Sequence, residues 1–184
     1  MQFTKTGFKD LWLMEPKVFG DSRGYFFEAF NAENFKEKTG IAIDFVQQNQ
    51  SKSQKNVLRG LHLQTGEYSQ AKLIRVIQGS VLDVVVDLRQ EEPTFGKCYA
   101  VELNATNQKQ LFIPRNFAHG FLVLEENTLF TYSCDNYYKP EAELTLYYND
   151  PECSPIWPNI GELIISEKDK NGLDFKTVIK KLYG

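Results

Sequence analysis

At 184 residues, with 42% hydrophobic and 24% charged side chains, the chain has the make-up of one soluble globular domain over residues 1–184. A formal net charge of −3 argues against a nucleic-acid binder, and no apolar run approaches the roughly 18 residues of a membrane span. Cys98, Cys134 and Cys153 are odd in number, far apart and in no CxxC pair; with no signal-length run at the N-terminus, they point to a reducing cytoplasm and away from a disulfide framework or structural metal.

Residues 8–15 form an apolar, strand-like segment stopped by Pro16. Phe19-Gly20-Asp21-Ser22-Arg23-Gly24 is rich in turn formers and leads into an aromatic strand through Glu28. Asn31 is placed to cap a short helix over 32–38 that Gly40 closes. Residues 45–53 are extended yet polar, which fits a solvated edge strand or amides lining a polar cavity equally well. Residues 72–77 and 81–87 are rich in β formers and are joined at Gln78-Gly79-Ser80, predicting a hairpin. In its second arm Leu82, Val84, Val86 and Leu88 share one face, with Asp83 and Asp87 on the other. Strands follow at 99–103, 110–113, 120–124, 129–133 and 144–148, and a closing helix at 175–182. Many short strands with a turn signal every ten or so residues define an all-β sandwich or barrel with small helical additions.

Val57-Leu58-Arg59-Gly60-Leu61-His62-Leu63-Gln64 carries an arginine and a histidine where a plain strand would hold neither. Alternation puts Arg59, Leu61 and Leu63 on one face and Leu58, Gly60, His62 and Gln64 on the other. Arg59 and His62 share a cavity only if Gly60 bends or bulges the strand. His62 and His119 are the two histidines of the chain, and imidazole is the default proton carrier near neutral pH. A single strand histidine is more often a satisfied core residue than a catalyst, and a strand lysine or tyrosine more often a solvated edge. The company of Lys72, His119, Tyr132, Asp150 and Asp169 raises the odds. A barrel metal site wants three or four ligands, often His-x-His; here the tripeptide is His62-Leu63-Gln64, and glutamine is a poor ligand, so no metal is expected. No GxGxxG, no Walker loop and no nucleophile elbow is present, which leaves proton transfer without a cofactor.

Several blocks then match a known family in order: Glu15-Pro16-Lys17-Val18-Phe19-Gly20-Asp21 with Arg23-Gly24, Gln47-Gln48-Asn49 with Ser51-Lys52-Ser53, and Asn56-Val57-Leu58-Arg59-Gly60-Leu61-His62. Gly79 with Asp83-Val84-Val85-Val86-Asp87, Pro93-Thr94-Phe95-Gly96, Ile113-Pro114 with Phe117-Ala118-His119-Gly120-Phe121, and Asn149-Asp150-Pro151 complete the set. From about Leu11 to Asp169 the chain resembles the dTDP-4-dehydrorhamnose 3,5-epimerases, sugar-nucleotide epimerases of the cupin type. The resemblance implies a cupin-like jelly-roll β-sandwich with short flanking helices, a homodimer without metal, and inversion of C3 and C5 of dTDP-4-dehydro-6-deoxy-glucose to give dTDP-4-dehydro-L-rhamnose. It further implies His62 as base, Asp169 as its orienter, Tyr132 as the acid on the opposite face and Lys72 near the C4 oxygen. Arg23, Arg59 and Lys168 would meet diphosphate or sugar, with Glu28, Gln47, Gln48, Asn49, His119 and Glu143 completing the pocket. One departure is Asn116, where the family usually has glycine; asparagine tolerates a left-handed backbone, so the turn is expected to survive. Cys134 close to Tyr132 reads as packing. The competing readings are a 3-epimerase or ketoisomerase of a related 4-keto sugar, and a cupin-like sugar-binding module, which has no need of such an acid–base set.

Overall fold

The computed structural model describes residues 1–153, 155 and 157–184. In chain order the strands are β1 (Gln2–Lys5), β2 (Trp12–Glu15), β3 (Phe19–Asp21) and β4 (Gly24–Phe26), followed by helix α1 (Ala32–Thr39). Then come β5 (Gln47–Ser53), β6 (Val57–Gln64), β7 (Lys72–Gln78), β8 (Ser80–Asp87), β9 (Cys98–Asn104), β10 (Gln110–Ile113), β11 (Phe117–Val123), β12 (Thr128–Cys134) and β13 (Glu143–Thr145). The chain closes with β14 (Ile164–Ile165), α2 (Glu167–Lys170) and α3 (Phe175–Tyr183). Among the described residues no helix is long and apolar enough to cross a membrane.

Two sheets carry the architecture. One runs β1-β2-β10-β7-β12-β5; the other runs β13-β6-β11-β8-β9, with β14 added in parallel to β6. Between them Ile74 and Val76 from β7, Leu111 and Ile113 from β10 and Phe130 from β12 meet Val81 and Val85 from β8 and Phe117, Phe121 and Val123 from β11. The outer faces are covered too. Phe175 and Val178 of α3 lie on Leu61, Leu63, Val84, Val86 and Leu88, while Phe35 of α1 packs with Trp12, Met14, Leu73 and Phe112. β8 is therefore buried on both faces, and its apolar residues sort between two cores. This arrangement is the cupin-like sandwich with short flanking helices.

The expected hairpin at 72–87 is not one. β7 pairs with β10 and β12 in the first sheet, whereas β8 pairs with β9 and β11 in the second. Gly79, at φ 78°, is the single residue between them, and it carries the chain across from one sheet to the other. A Cβ there would collide with Thr128. Apolar faces on both arms are better buried against each other across the sandwich than left side by side in one sheet. The strand expected over 8–15 is shorter, because Asp10 turns the chain at φ 61° and pairing begins at Trp12. The α1 signals are realised closely: the Asn31 side chain accepts a hydrogen bond from the Asn34 N–H, and Gly40 closes the helix at φ 77°. Asn116 takes the left-handed conformation at φ 65°.

Candidate active site

β6 departs from regular pairing where the sequence holds Gly60. His62 faces His119 of β11 and Arg59 faces Phe121, so three steps on β6 match two on β11. The extra residue is a bulge, and it reverses the phase of the strand between Arg59 and His62. Both residues consequently line one cavity of about 630 Å³, a size suited to a small-molecule site. Two glycines permit it. A Cβ on Gly60 would lie 2.6 Å from Gly120 Cα, and one on Gly120 would lie 2.6 Å from the Arg59 carbonyl oxygen. Gly120→Ala is expected to force these strands apart, lowering stability by about 1–3 kcal/mol and reducing turnover with it. Urea midpoints and rates measured together check this, and a variant unchanged in both would refute the close-approach argument.

The second sheet supplies the histidines. His62 Nε2 stands 2.6 Å from Asp169 Oδ1, and the Gly60 N–H donates to Asp169 Oδ2 at 3.3 Å. Asp169 reaches β6 across 107 residues of sequence because it sits in α2, whose N-terminus is capped by the Ser166 side chain accepting the Asp169 N–H. Burial pushes the Asp169 carboxyl up, but the His62 hydrogen bond, the His62 charge and the Gly60 N–H outweigh it and hold the group below the usual carboxylate range. His119 Nε2 lies 2.9 Å from Asp83 Oδ2, and Asp83 is wholly buried.

Lys72 and Tyr132 come from the facing sheet, on β7 and β12. The Lys72 ammonium sits 5.8 Å from the Tyr132 ring centroid. Burial lowers the Lys72 pKa against the opposing influence of Cys134, Glu143 and Asp83. Burial raises that of Tyr132, which keeps the phenol protonated at neutral pH. Cys134 is fully buried, its thiol pushed up to about 11 by burial. The cavity is thus flanked by one wall holding a histidine–carboxylate pair and another holding a neutral phenol and an ammonium. Such a set can remove a proton from one side of a ring, return one from the other and hold negative charge between them.

β5 answers the even choice left by the sequence with both alternatives. It is the edge strand of its sheet, and Asn49, Gln50 and Ser51 line the cavity, whereas Gln47 and Gln48 are not part of its lining. Gln47 Nε2 donates to Asn49 Oδ1 at 3.1 Å, whereas Gln48 points out to solvent. Glu143 is half-buried, bonded to Lys168 Nζ at 2.7 Å and to the Tyr138 hydroxyl at 2.7 Å. Burial raises its carboxyl, but those two hydrogen bonds prevail and keep it below the usual range, while the same bond pushes Tyr138 up to about 12. Arg59 Nε donates to Ser53 Oγ at 3.2 Å. Arg23 and Glu28 do not join this cavity. Arg23 is 87% exposed on the β3–β4 hairpin, paired with Asp21, and Glu28 accepts from Asn31 Nδ2. Asp150, noted for its neighbourhood, is a buried structural group whose Oδ2 accepts the Phe175 N–H at the start of α3. Sequence reasoning missed Tyr138, Gln70 and Asp83 at or behind the cavity wall; only Asp83, a carboxylate inside an apolar strand run, gave a signal.

His119 also carries a pH consequence. Burial, the largest influence, pulls its pKa below 6.5 in spite of Asp83, with Lys72 and His62 acting in the same direction as burial. The unfolded chain then binds the extra proton first, so stability is full above about pH 6.5 and falls as pH drops towards the folded value. Urea unfolding between pH 8 and pH 5 is expected to show that decline, and His119→Gln to flatten it.

Fold and cavity together define a cupin-like protein with an acid–base set able to work on both sides of a bound ring. A family model described as dTDP-4-dehydrorhamnose 3,5-epimerase matches residues 5–177. The dTDP-4-dehydrorhamnose 3,5-epimerase of Escherichia coli K12 is 48% identical over 170 residues, which is 92% of each chain. The crystal structure of the enzyme of that name from Elizabethkingia anophelis superposes with a TM-score of 0.92 at 50% identity, covering 100% of this chain and 99% of its own. A dTDP-6-deoxy-D-glucose-3,5-epimerase of Legionella pneumophila, solved in complex with dTDP-4-keto-L-rhamnose, gives 0.93 at 42% identity, covering 98% and 96%. The chain belongs to the dTDP-4-dehydrorhamnose 3,5-epimerase family.

Proposed function

We propose that the chain inverts C3 and C5 of dTDP-4-dehydro-6-deoxy-glucose, forming dTDP-4-dehydro-L-rhamnose for dTDP-L-rhamnose synthesis. The observation that carries this reading is the placement of His62, held by Asp169 of α2, and of Tyr132 and Lys72 on opposite sheets facing one cavity. Both carbons lie α to the C4 ketone, so loss of either proton gives an enolate. His62 takes the proton, and Asp169 stabilises the imidazolium as it forms. Lys72 meets the developing oxyanion, an interaction worth about 3 kcal/mol per well-placed donor. Tyr132 returns a proton to the other face, which inverts the centre. Arg59, Lys168, His119, Gln47, Asn49 and Glu143 bind the sugar nucleotide around this centre. A few placed cations suffice to hold a diphosphate on a chain of net charge −3.

The chain works as a homodimer in the cytoplasm on this reading. The β3–β4 hairpin exposes Phe19 at 54%, Tyr25 at 60% and Phe26 at 70%, beside Arg23 and Glu28. Apolar area of that kind suits burial against a second copy, which would also bring Arg23, Glu28 and the outward Gln48 near bound nucleotide. Three free cysteines fit a reducing compartment. Light scattering on the eluting protein tests the assembly, and a monomer at micromolar concentration would refute it.

The activity is tested by turnover in deuterated water. Solvent deuterium at both C3 and C5, with inversion at both, is the expected result. Label at C3 alone moves the assignment to a 3-epimerase, and none at either carbon overturns it.

A further inference from the structure

The pair His119–Asp83 is not needed as a second base, yet it is built with care. Asp83 sits on β8 with no exposure, His119 on β11 is 7% exposed, and the Cα partner of His119 on β6 is the base, His62. A carboxylate only accepts hydrogen bonds, so at 2.9 Å from Asp83 Oδ2 the His119 Nε2 must carry a hydrogen. The ring is further fixed by a near-parallel stack on Phe130, 6.2 Å between centroids and 21° between planes. Its Nδ1 has no hydrogen-bond partner among the described residues, and the residue lines the cavity. A buried imidazole that stays neutral has one donor and one acceptor nitrogen; with Nε2 the donor, Nδ1 presents a lone pair.

We propose that Asp83 is a positioning residue that fixes His119 with Nε2–H turned away from the cavity, leaving Nδ1 as a hydrogen-bond acceptor for a hydroxyl of the bound hexose. The assignment deepens the epimerase reading and rests on it for the identity of the ligand. It separates the roles of the two histidines. His62 exchanges a proton with carbon, whereas His119 is held in one tautomer and reads a hydroxyl. It also assigns the C4 oxyanion to the Lys72 ammonium, because an acceptor nitrogen repels an enolate oxygen.

Two histidines in the chain make the test direct. In protein labelled with 15N-histidine, long-range proton–nitrogen spectra distinguish the two neutral tautomers. The His119 spin system, identified by its loss in His119→Gln, is expected in the Nε2–H form at pH 8, with its Nδ1 resonance moving when dTDP-glucose is added and staying put with dTDP alone. An Nδ1–H form in the wild-type protein overturns the proposal, as does an Nδ1 resonance that ignores dTDP-glucose. Asp83→Leu removes the acceptor facing Nε2 without putting another polar group there, and is expected to release the Nε2–H preference and lower kcat/KM about tenfold, with dTDP affinity within twofold of wild type. Parallel loss of dTDP affinity would mean that Asp83 merely supports the pocket. None of the tautomer readouts needs turnover, so a correct tautomer in a protein that incorporates no deuterium refutes the epimerase reading and removes the sugar from the proposal with it.

Discussion

His62→Ala is expected to abolish solvent deuterium incorporation at both C3 and C5, lowering kcat by at least about 100-fold, the lower end of what a positioned general base supplies. One base is asked to serve both carbons: of the two histidines lining the cavity, His62 is 29% exposed and paired with Asp169, whereas His119 is 7% exposed and held against buried Asp83. Loss of exchange at C5 with exchange at C3 retained would require a second base and would break the scheme. Asp169→Asn isolates the contribution of the pair. It keeps the shape while removing the charge that stabilises the imidazolium, so kcat should fall with little change in affinity for dTDP. The Gly60 N–H, which also binds that carboxylate, ties the orienter to the bulge that aims His62 and Arg59.

Tyr132→Phe separates the two halves of inversion. The phenol is held protonated by burial, and it lies on the sheet opposite His62. Without it the enolate still forms, and the His62 imidazolium returns the proton, or a deuteron, to the face from which it came. Exchange is therefore expected to persist within about tenfold of wild type, whereas inversion falls by about 100-fold or more. Mass spectrometry of recovered substrate gives the first quantity, and NMR of the product configuration gives the second. Equal loss of both would show that Tyr132 serves binding or enolate formation and not reprotonation.

How much of this was written in the sequence can be seen residue by residue. Local signals were sufficient where they act within a few positions: the Asn31 and Gly40 caps, the β-rich runs, the left-handed Asn116 and the identity of the polar residues on β5. The resemblance named the catalytic set, and the positions of His62, Asp169, Tyr132 and Lys72 are compatible with the roles it implies. The hairpin expected at Gln78-Gly79-Ser80 went wrong because a turn signal fixes where a chain bends and not which sheet receives the next strand. That choice depends on which apolar faces find each other, and β7 and β8 find theirs across the sandwich.

The chain by itself determined its composition-level class, its strand count to a good approximation, and the residue types available for proton transfer, because these follow from local propensity and inventory. Only the tertiary structure decided that Arg59 and His62 share a cavity, through the bulge at Gly60 against Gly120. It alone seated Asp83 behind His119, and it alone set Arg23 on an exposed hairpin and Glu28 just beyond it, both outside the lining of that cavity. Strand period is a property of neighbours in sequence. Cavity membership depends on register, on where one extra residue is accommodated and on which sheet a strand joins, and long-range packing settles all three.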